Sequence, residues 1–290
     1  MHKFQKIRRN KLIKWFAFLF MALNLAIITV TGLSYFYMSS MFERVVAEYN
    51  VSTVENVRTT LATNFSAGEK LAQEIYHTAE MGSLSKKSNL KDPSGYLAAG
   101  KLIDFIEYEL GSSSSLEGAY IYLSCSDTVI SEQGMFDARF FYESYAPHNE
   151  MTFDEWKSWI QERRQPFYQT ATLTYETYTA EVVEYYCPFN AYTDSSYGCV
   201  VLNYAPSLLL KPFDGGALLN SADIQIRYLP EQTQILSSGN TEINNYVYEQ
   251  DLKTGKTTLH STPFGKLIVI KQTSLDHNWE YIITLSANVF

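Results

Sequence analysis

The most constraining feature of this sequence is an uncharged stretch of 24 residues, positions 15–38, which reads WFAFLFMALNLAIITVTGLSYFYM. At the rise of an α-helix, about 20 residues cross the hydrocarbon core of a bilayer, which is about 30 Å thick. Its few polar residues, such as Asn24 and Thr29, are tolerated because a helix satisfies its own backbone hydrogen bonds. The stretch therefore predicts one transmembrane helix.

The flanking charges predict how this helix is oriented. Residues 1–14 hold six Lys and Arg side chains and no acidic residue, and such cationic flanks stay on the cytoplasmic side. We therefore expect a single-pass protein of the cell membrane, with a cytoplasmic amino terminus and an extracellular main domain. A cleaved signal peptide is the alternative, but its apolar core usually spans about 7–15 residues. The exit from the stretch, YFYMSSMFERV, also offers no small-x-small cleavage site.

Charge and motif content argue against two classes of function. The whole chain carries −8 and residues 1–14 carry +6, so residues 15–290 carry −14. A nucleic-acid surface needs clustered Lys and Arg, so we expect this chain itself to contact no nucleic acid. The sequence has no HExxH or HxH spacing, no GxSxG motif and no Gly-rich phosphate loop. Because those patterns carry the common metal, nucleophile and phosphate chemistries, we expect no enzyme activity, no metal site and no cofactor.

Helical periodicity continues beyond the membrane stretch. Apolar residues such as Leu61, Phe65, Leu71 and Ile75 recur mostly at steps of three and four, with charged residues between them. This pattern predicts an amphipathic helix over residues 39–81 that extends the membrane span as a spine. Its apolar positions are numerous enough to serve both the domain and a second copy, which favours a parallel homodimer.

The rest of the sequence predicts an α+β fold. A connecting helix is expected at residues 96–110, and helices at 136–145 and after the capping box Thr152-Phe-Asp-Glu155. Residues 241–250 fit either a helix or a strand. Strands are predicted at residues 119–123, 127–131, 168–176, 181–189, 197–204, 222–229, 234–237, 265–273 and 278–285. These strands give two antiparallel-sheet units that follow one spine.

We divide the chain into five predicted segments. They are a cytoplasmic basic tail (1–14), the transmembrane helix (15–38), the spine with its connecting helix (39–111), a membrane-distal unit (112–213) and a membrane-proximal unit (214–290). The distal unit has the longer insertion between its strands, so it is the one expected to bind a ligand. The proximal unit would transmit the signal.

Two of the three cysteines leave alternatives open. Cys187 and Cys199 lie symmetrically about Thr193 in two predicted strands, so a hairpin could place them opposite each other and allow a disulfide. The other interpretation is a pair of free buried thiols, since small buried cysteines are common. Three cysteines are too few for a disulfide-stapled fold.

Candidate binding residues are mostly aromatic and belong to the distal unit. A cavity lined by rings and few charges is the usual form of a small-molecule site. The insertion between the second and third predicted strands could roof such a cavity above the sheet. The candidates are Phe136, Arg139, Tyr142, Trp156 and Trp159 in the insertion, and Tyr120, Tyr122, Tyr186 and Tyr204 on the strands below. Core packing is the alternative for each ring, and a surface or paired charge is the alternative for Arg139.

Four segments resemble a known class of receptor. They are VISEQGMF (129–136), MTFDEWKSWI (151–160), YGCVVLNY with PSLLL behind it (197–210) and NWEYIITLS (278–286). With the order of tail, span, spine and two sheet units, they resemble the double Cache sensor domains of bacterial membrane receptors. Similar extracytoplasmic parts occur in AraC-type membrane regulators and sensor histidine kinases of Gram-positive bacteria.

The resemblance implies two PAS-like Cache units, a small-molecule ligand and a parallel dimer. It also implies signal transduction to an AraC-type DNA-binding output module in transcription regulation, or alternatively to a histidine kinase. Receptors of this class continue into a second span and an output module after the last strand, whereas this sequence ends at Phe290, so we expect the sensor portion of a longer protein.

The ligand is left open between classes of compound. The amino-acid signature of the class, an Arg followed shortly by Trp-Tyr and a later Asp, is not matched, so no amino acid is predicted as the ligand. A small polar metabolite or sugar-like compound is expected instead. A third interpretation is a membrane-anchored structural or partner-binding ectodomain, which would need no cavity.

Overall fold

The computed structural model describes residues 2–191, 196–211, 222–231, 233–250, 252–274 and 279–286. The chain forms two compact units, Met1–Thr53 and Val54–Val289. The helices are α1 (His2–His77), α2 (Ala79–Leu84), α3 (Pro93–Ser112), α4 (Ala138–Tyr145), α5 (Phe153–Glu162), α6 (Pro206–Leu210) and α7 (Thr241–Tyr248). The strands are β1 (Leu116–Leu123), β2 (Thr128–Ser131), β3 (Gly134–Asp137), β4 (Phe167–Thr174), β5 (Thr179–Ala191), β6 (Ser196–Tyr204), β7 (Asp223–Tyr228), β8 (Thr233–Ser238), β9 (Gly255–Thr262), β10 (Gly265–Ser274) and β11 (Trp279–Ser286).

The first unit holds the amino-terminal part of α1. Its segment Lys14–Met38 is long and apolar enough to cross a membrane. Asn24 donates a side-chain hydrogen bond to the carbonyl of Phe20 at 2.8 Å, and Thr29 donates one to the carbonyl of Leu25 at 2.7 Å. These two polar side chains therefore need no partner outside their own helix, which suits a bilayer interior.

The carboxyl-terminal part of α1 belongs to the second unit and buries one face there. Leu61, Phe65, Leu71 and Ile75 are all buried, as their helical spacing predicts. The helix ends at His77 and α2 begins at Ala79, because the Thr78 side chain caps α2 by accepting the backbone N–H of Met81. The predicted helix over residues 39–81 is confirmed except for this break.

The first sheet has six antiparallel strands in the order β3-β2-β1-β6-β5-β4. Strands β4, β5 and β6 correspond to three predicted strands and form an antiparallel meander. Strand β1 pairs with both β2 and β6 at the centre of the sheet. Helices α4 and α5 cover one face. The second-unit part of α1 lies against the other face, where Phe65 contacts Tyr204 with a ring separation of 5.4 Å.

The helices on this sheet begin where their side chains allow. The capping box is confirmed, because Glu155 accepts the Thr152 backbone N–H at 2.7 Å and Thr152 accepts the Glu155 N–H at 3.4 Å. The predicted helix over residues 136–145 is wrong at its start, since residues 134–137 form β3. Asp137 caps α4 by accepting the backbone N–H groups of Arg139 and Phe140, so the helix starts only at Ala138.

The pairing of β5 with β6 decides the state of the cysteines. Cys187 lies opposite Val200, and Cys199 lies opposite Pro188, one residue away from the symmetric arrangement about Thr193 that the sequence suggested. Because successive strand residues point to opposite faces, the two thiols lie on opposite sides of the sheet. Both are free, so the disulfide alternative is wrong and the free-thiol alternative describes this structure.

The second sheet has five antiparallel strands in the order β8-β7-β11-β10-β9. Within the ambiguous residues 241–250, Thr241–Tyr248 form α7, which Asn240 caps by accepting the N–H groups of Glu242 and Ile243. Strand β9 was not predicted, because its sequence GKTTLHST has little apolar alternation. The predicted boundary between residues 213 and 214 lies outside the described residues, and it stays a prediction.

The two sheets meet at an aromatic cluster that we call the ring junction. Its members are Phe65, Tyr168, Tyr204, Tyr228 and Trp279. Phe65 of α1 stacks on Trp279 of β11 at 4.3 Å, and its ring lies 5.4 Å from that of Tyr168 on β4. The junction thus joins α1, the first sheet and the second sheet in one contact.

Candidate functional site

Seven of the nine predicted binding residues come together on one face of the first sheet, in what we call the ring cluster. They are Tyr120, Tyr122, Phe136, Tyr142, Trp156, Trp159 and Tyr186. The Trp156 ring is fully buried, 5.4 Å from Tyr122 and 5.2 Å from Tyr142. These rings fill the space between the sheet and helices α4 and α5, where a cavity was expected.

The other two candidates lie elsewhere. Tyr204 was expected in the floor beside Tyr120, which is wrong, because strand alternation turns its side chain to the opposite face and into the ring junction. Arg139 is exposed, with Asp154 as its ion-pair partner at 2.9 Å and the Phe153 ring 4.6 Å from its guanidinium carbon. The surface-charge interpretation of Arg139 therefore describes its position.

A cavity of about 250 Å³ opens beside the ring cluster, on the same face of the first sheet. Its lining comes from β1, the turn between β2 and β3, helix α4, the hairpin of β4 and β5, and β6. Of the nine predicted residues, Tyr120 is the one that lines it. The insertion does contribute to the roof as expected, through Phe141 and Tyr145 of α4.

Aromatic side chains form two opposing walls of this cavity. On α4, the Phe141 and Tyr145 rings stack at 5.5 Å, and Phe141 lies 4.9 Å from Tyr120 on the floor. On the β4–β5 hairpin, Tyr175 and Tyr178 stack at 4.6 Å. The Tyr175 hydroxyl donates to the Tyr145 carbonyl at 3.0 Å and so joins the walls. Burial raises the pKa of Tyr175 to about 12, so it stays a neutral donor at physiological pH.

A buried charged pair lies next to the cavity. Glu184 on β5 is fully buried, and its Oε2 accepts hydrogen bonds from His148 Nε2 at 2.9 Å, Tyr186 Oη at 2.7 Å and Gln169 Nε2 at 3.0 Å. The other ring nitrogen of His148, Nδ1, lies 2.9 Å from the Ala146 carbonyl. Because the Ala146 carbonyl and the ionised Glu184 both accept hydrogen bonds, the arrangement suits an imidazolium, which donates from both ring nitrogens.

The titration of the pair follows from the same contacts. Burial alone raises the pKa of Glu184, but the charge of His148 and the hydrogen bonds that Glu184 accepts outweigh it and hold the pKa below the ordinary 4.5. Burial alone lowers the pKa of His148, but Glu184 outweighs it and holds the pKa above the ordinary 6.5. Both shifts favour the charged forms of the pair.

Two buried acceptors near the cavity floor are left without a donor. Among the residues that the structure describes, Glu184 Oε1 and Asn203 Oδ1 have no hydrogen-bond partner, whereas the Tyr120 hydroxyl has that of Tyr186. Asn203 faces Glu184 across β5 and β6, and Asn203 lines the cavity. An unsatisfied buried acceptor costs about 1–3 kcal/mol and is rare in native structures.

Sequence reasoning missed most of this site. Glu184 was read as an ordinary member of the strand at 181–189, although it interrupts the apolar run of VVEYYCPF. A charged residue inside such a run is rarely buried without a partner, and that signal pointed to Glu184. Nothing local pointed to Tyr178, which is exposed and reaches the cavity only because the hairpin turns over the sheet.

Comparison with known proteins places the fold. No family model and no curated protein sequence matches this chain. The ligand-binding domain of Mlp24 with asparagine is similar at a TM-score of 0.51 and 12% identity, over 82% of this chain and 91% of that one. A domain of a sensory box/GGDEF family protein from Vibrio parahaemolyticus is similar at 0.54 and 8%, over 83% and 96%. The extracellular domain of vpHK1S-Z8, described as a histidine kinase, is similar at 0.55 and 9%, over 84% and 95%.

These similarities confirm the fold class predicted from the sequence. The chain is an α+β protein with an N-terminal apolar helix and two antiparallel sheets, and it matches the fold of Cache sensory domains. The similar structures are sensory ligand-binding domains rather than enzymes, which is consistent with the expected absence of catalysis. At these identities the likeness concerns the fold alone.

Proposed function

We propose that this chain is the extracytoplasmic small-molecule sensor portion of a transmembrane signalling receptor. The observation that carries the proposal is the cavity on the first sheet, with its two aromatic walls and with unsatisfied acceptors buried beside it. A protein that only anchored or bridged partners would have no need of such a cavity. The similar domain of Mlp24 with bound asparagine supports a ligand-binding role for the fold.

The second part of the proposal is a route from the cavity to the rest of the second unit. Strands β4, β5 and β6 contribute to the cavity on one face, and on the other face Tyr168 and Tyr204 belong to the ring junction. Ligand that binds one arrangement of these strands more tightly shifts the population toward it. The ring junction then passes that shift to α1 and to β11.

A thermal-shift screen of a metabolite library on the full chain in nanodiscs tests ligand binding. A ligand at a hundredfold excess over its Kd stabilises the protein by about 2.7 kcal/mol. The Ala180→Trp variant fills the cavity and is expected to abolish the shift, whereas Thr174→Trp adds the same ring at an exposed strand position outside the lining. A shift that survives Ala180→Trp would place the site elsewhere, and a library without hits would contradict the sensor function.

The structure changes which variants are informative. Trp156→Ala and Tyr186→Ala are natural choices from the sequence, but both side chains are fully buried in the ring cluster. Removing such a ring costs about 3–5 kcal/mol of stability, so lost binding would report unfolding. Substitutions at the cavity rim avoid this ambiguity.

We propose that α1 crosses the membrane with its amino terminus in the cytoplasm. The basic residues 1–14 and the apolar segment Lys14–Met38 support this orientation. A cysteine introduced at Lys86, in a background with Cys125→Ser, should react with a membrane-impermeant maleimide on whole cells. Reaction only after lysis would reverse the topology and contradict an extracellular sensor.

We also propose a parallel homodimer through α1. Met41 and Val45 are large apolar side chains that are exposed in the single chain, which supports a second copy as their partner. Cysteines introduced one at a time at residues 38–52 should crosslink with a helical period. A flat profile would argue for a monomer.

For the output, we propose an AraC-type DNA-binding module that controls transcription in a Gram-positive bacterium, with a histidine kinase as the alternative. The resemblance of four sequence segments supports the first, and the likeness to the vpHK1S-Z8 extracellular domain is compatible with the second. Sequencing the reading frame beyond codon 290 distinguishes them. A second apolar span followed by a helix-turn-helix pattern supports the first, a kinase core supports the second, and any other module contradicts both.

A further inference from the structure

The charges around the cavity have one sign. Glu117 on β1 and Glu132 after β2 both line it, and neither forms an ion pair with a described residue. No Lys or Arg occurs among the described lining residues. Burial raises the pKa of Glu132, as expected for a carboxyl group whose ionised form has no cation beside it. The lining therefore favours a cation and opposes an anion.

The rings reinforce this preference. Phe141 and Tyr145 on α4 face the hairpin pair Tyr175 and Tyr178, with Tyr120 at the floor. Aromatic faces attract cations that come within about 6 Å of a ring centroid, by about 0.5–2 kcal/mol for each contact. Three groups of rings around one cavity are thus suited to a positively charged group with an apolar body.

The acceptors of the lining separate the kinds of cation. The carboxylates of Glu117 and Glu132 line the cavity and can accept hydrogen bonds from a ligand. A primary ammonium group brings three N–H donors, whereas a quaternary ammonium brings none. The two carboxylates therefore favour a primary ammonium group.

A carboxylate on the same ligand would meet the opposite environment. It would lie among Glu117, Glu132 and the ring faces, whose π clouds repel negative charge, and no described lining residue supplies a cation. An α-amino acid carries its carboxylate within a few ångströms of its ammonium group, so it would gain at one end and lose at the other. This distinguishes the cavity from one built for zwitterions.

We infer that the cavity binds an organic cation with a primary ammonium group, a compact apolar body and no carboxylate. This inference rests on the proposed sensor function and names the class of ligand for the same site. The ammonium group lies beside the carboxylates of Glu117 and Glu132, and the apolar body lies between the ring pairs of α4 and the hairpin. The volume of about 250 Å³ limits the ligand to a small molecule.

The test is calorimetric titration of the full chain in nanodiscs with matched probes. Phenethylammonium, phenylalanine and 3-phenylpropionate share one body and carry an ammonium group, both groups and a carboxylate, respectively. Butylammonium and 1,4-diammoniobutane extend the ammonium series to aliphatic bodies. We expect at least one of the three ammonium probes to bind, and phenylalanine and 3-phenylpropionate to bind at least about tenfold more weakly than the best of them.

Rim variants locate the binding without disturbing the core. Glu117 is exposed, and we expect Glu117→Gln to raise the Kd about threefold and Glu117→Gln with Glu132→Gln to raise it about tenfold. Glu107→Gln removes the same charge from the exposed surface of α3, away from the lining, and should leave the Kd unchanged. Tyr178 is 59% exposed, so Tyr178→Ala should weaken binding without unfolding, whereas Tyr178→Phe keeps the ring and the affinity.

The outcomes separate this inference from the proposed function. Phenylalanine or 3-phenylpropionate binding as tightly as the best ammonium probe would overturn the cation assignment, as would binding that the double glutamine variant leaves unchanged. If none of the three ammonium probes binds with a Kd below about 10 mM, the assignment is also overturned. The sensor function survives any of these results if a library compound binds and loses its shift in Ala180→Trp.

Discussion

The two sheets of the second unit solve the same packing problem with different materials. The first sheet buries rings under α4 and α5 and keeps a cavity at the edge of that layer. Among the described residues, the second sheet is covered by the short helix α7 over a small aliphatic core that includes Val247, Val269 and Ile282. The first sheet has the longer insertion between its strands. The two helices of that insertion leave room for a site, whereas the one described helix on the second sheet does not.

The buried charges differ in the same way. In the first sheet Glu184 has one cationic partner, His148, and keeps one oxygen unsatisfied. In the second sheet Glu280 has two, with Arg227 at 3.0 Å and Lys271 at 2.9 Å. The charge of a carboxylate with two cationic partners is fully compensated, which is typical of a structural role. A carboxylate with a spare acceptor beside a cavity is typical of a functional site.

The largest effect is expected at the ring junction, where Phe65 of α1 contacts side chains of both sheets. Phe65→Ala removes a fully buried ring that stacks on Trp279 and contacts Tyr168 and Tyr204. Loss of a buried Phe costs about 3–5 kcal/mol, and we expect this decrease in the free energy of unfolding. Urea unfolding in detergent, followed by circular dichroism, measures it.

Phe140→Ala is the matched control, because Phe140 lies on α4 and is 53% exposed. It should cost less than about 1 kcal/mol. A loss at Phe65 that is no larger than the loss at Phe140 would show that the junction does not hold the sheets together. Two separate unfolding transitions in Phe65→Ala would instead sharpen the comparison by giving each sheet its own stability.

The second prediction compares the buried charges. His148→Gln leaves Glu184 without its cation, and breaking such a pair costs about 3–5 kcal/mol when both groups are fully buried. Gln can still donate one hydrogen bond, so we expect the free energy of unfolding to fall by about 2–4 kcal/mol. Lys271→Met in the second sheet should cost less than about 1 kcal/mol, since Arg227 still compensates Glu280. Equal losses at the two positions would contradict the difference drawn between the sheets.

The loss in His148→Gln should depend on pH. The raised pKa of His148 means that its contribution is complete below 6.5 and is lost as the pH rises through the folded-state pKa. The lowered pKa of Glu184 means that its contribution is complete above 4.5 and is lost as the pH falls through the folded-state pKa. The stability difference between wild type and variant is therefore largest between pH 4.5 and 6.5. A difference that does not change from pH 5.5 to pH 9 would indicate a neutral histidine.

Most of the fold could be predicted from the sequence because it follows from local periodicity. The helix over the apolar stretch, the burial of Leu61 and Phe65, and the Thr152–Glu155 capping box each follow from local sequence, and the structure contains all three. The face of a strand residue depends on pairing register, which local pattern does not fix. For that reason the sequence-based prediction placed Cys187 opposite Cys199 and Tyr204 beside Tyr120, whereas the structure separates both pairs.

The site was harder to predict than the fold for a related reason. Aromatic residues fill cores and line pockets equally well, so ring content identified the right sheet face but not the gap in its packing. That gap depends on where the β4–β5 hairpin carries Tyr175 and Tyr178 relative to α4. Such a relation joins residues about thirty positions apart, and only the tertiary structure contains it.

The smallest expected effect concerns the closeness of α1 to the first sheet. A Cβ atom added at Gly68 would overlap the Tyr204 hydroxyl, whereas one added at Gly100 in α3 would meet nothing within 4 Å. In a helix interior, Ala is favoured over Gly by up to about 1 kcal/mol, so Gly100→Ala should stabilise the protein by about that amount. Gly68→Ala gains the same propensity but must displace Tyr204, and overpacking of this kind costs about 1–3 kcal/mol. We therefore expect opposite signs in urea unfolding, a net loss of up to about 2 kcal/mol at Gly68 and a gain at Gly100. Stabilisation by both substitutions would mean that the helix can move away from the first sheet without loss, and that the ring junction rather than this close approach fixes α1 in place.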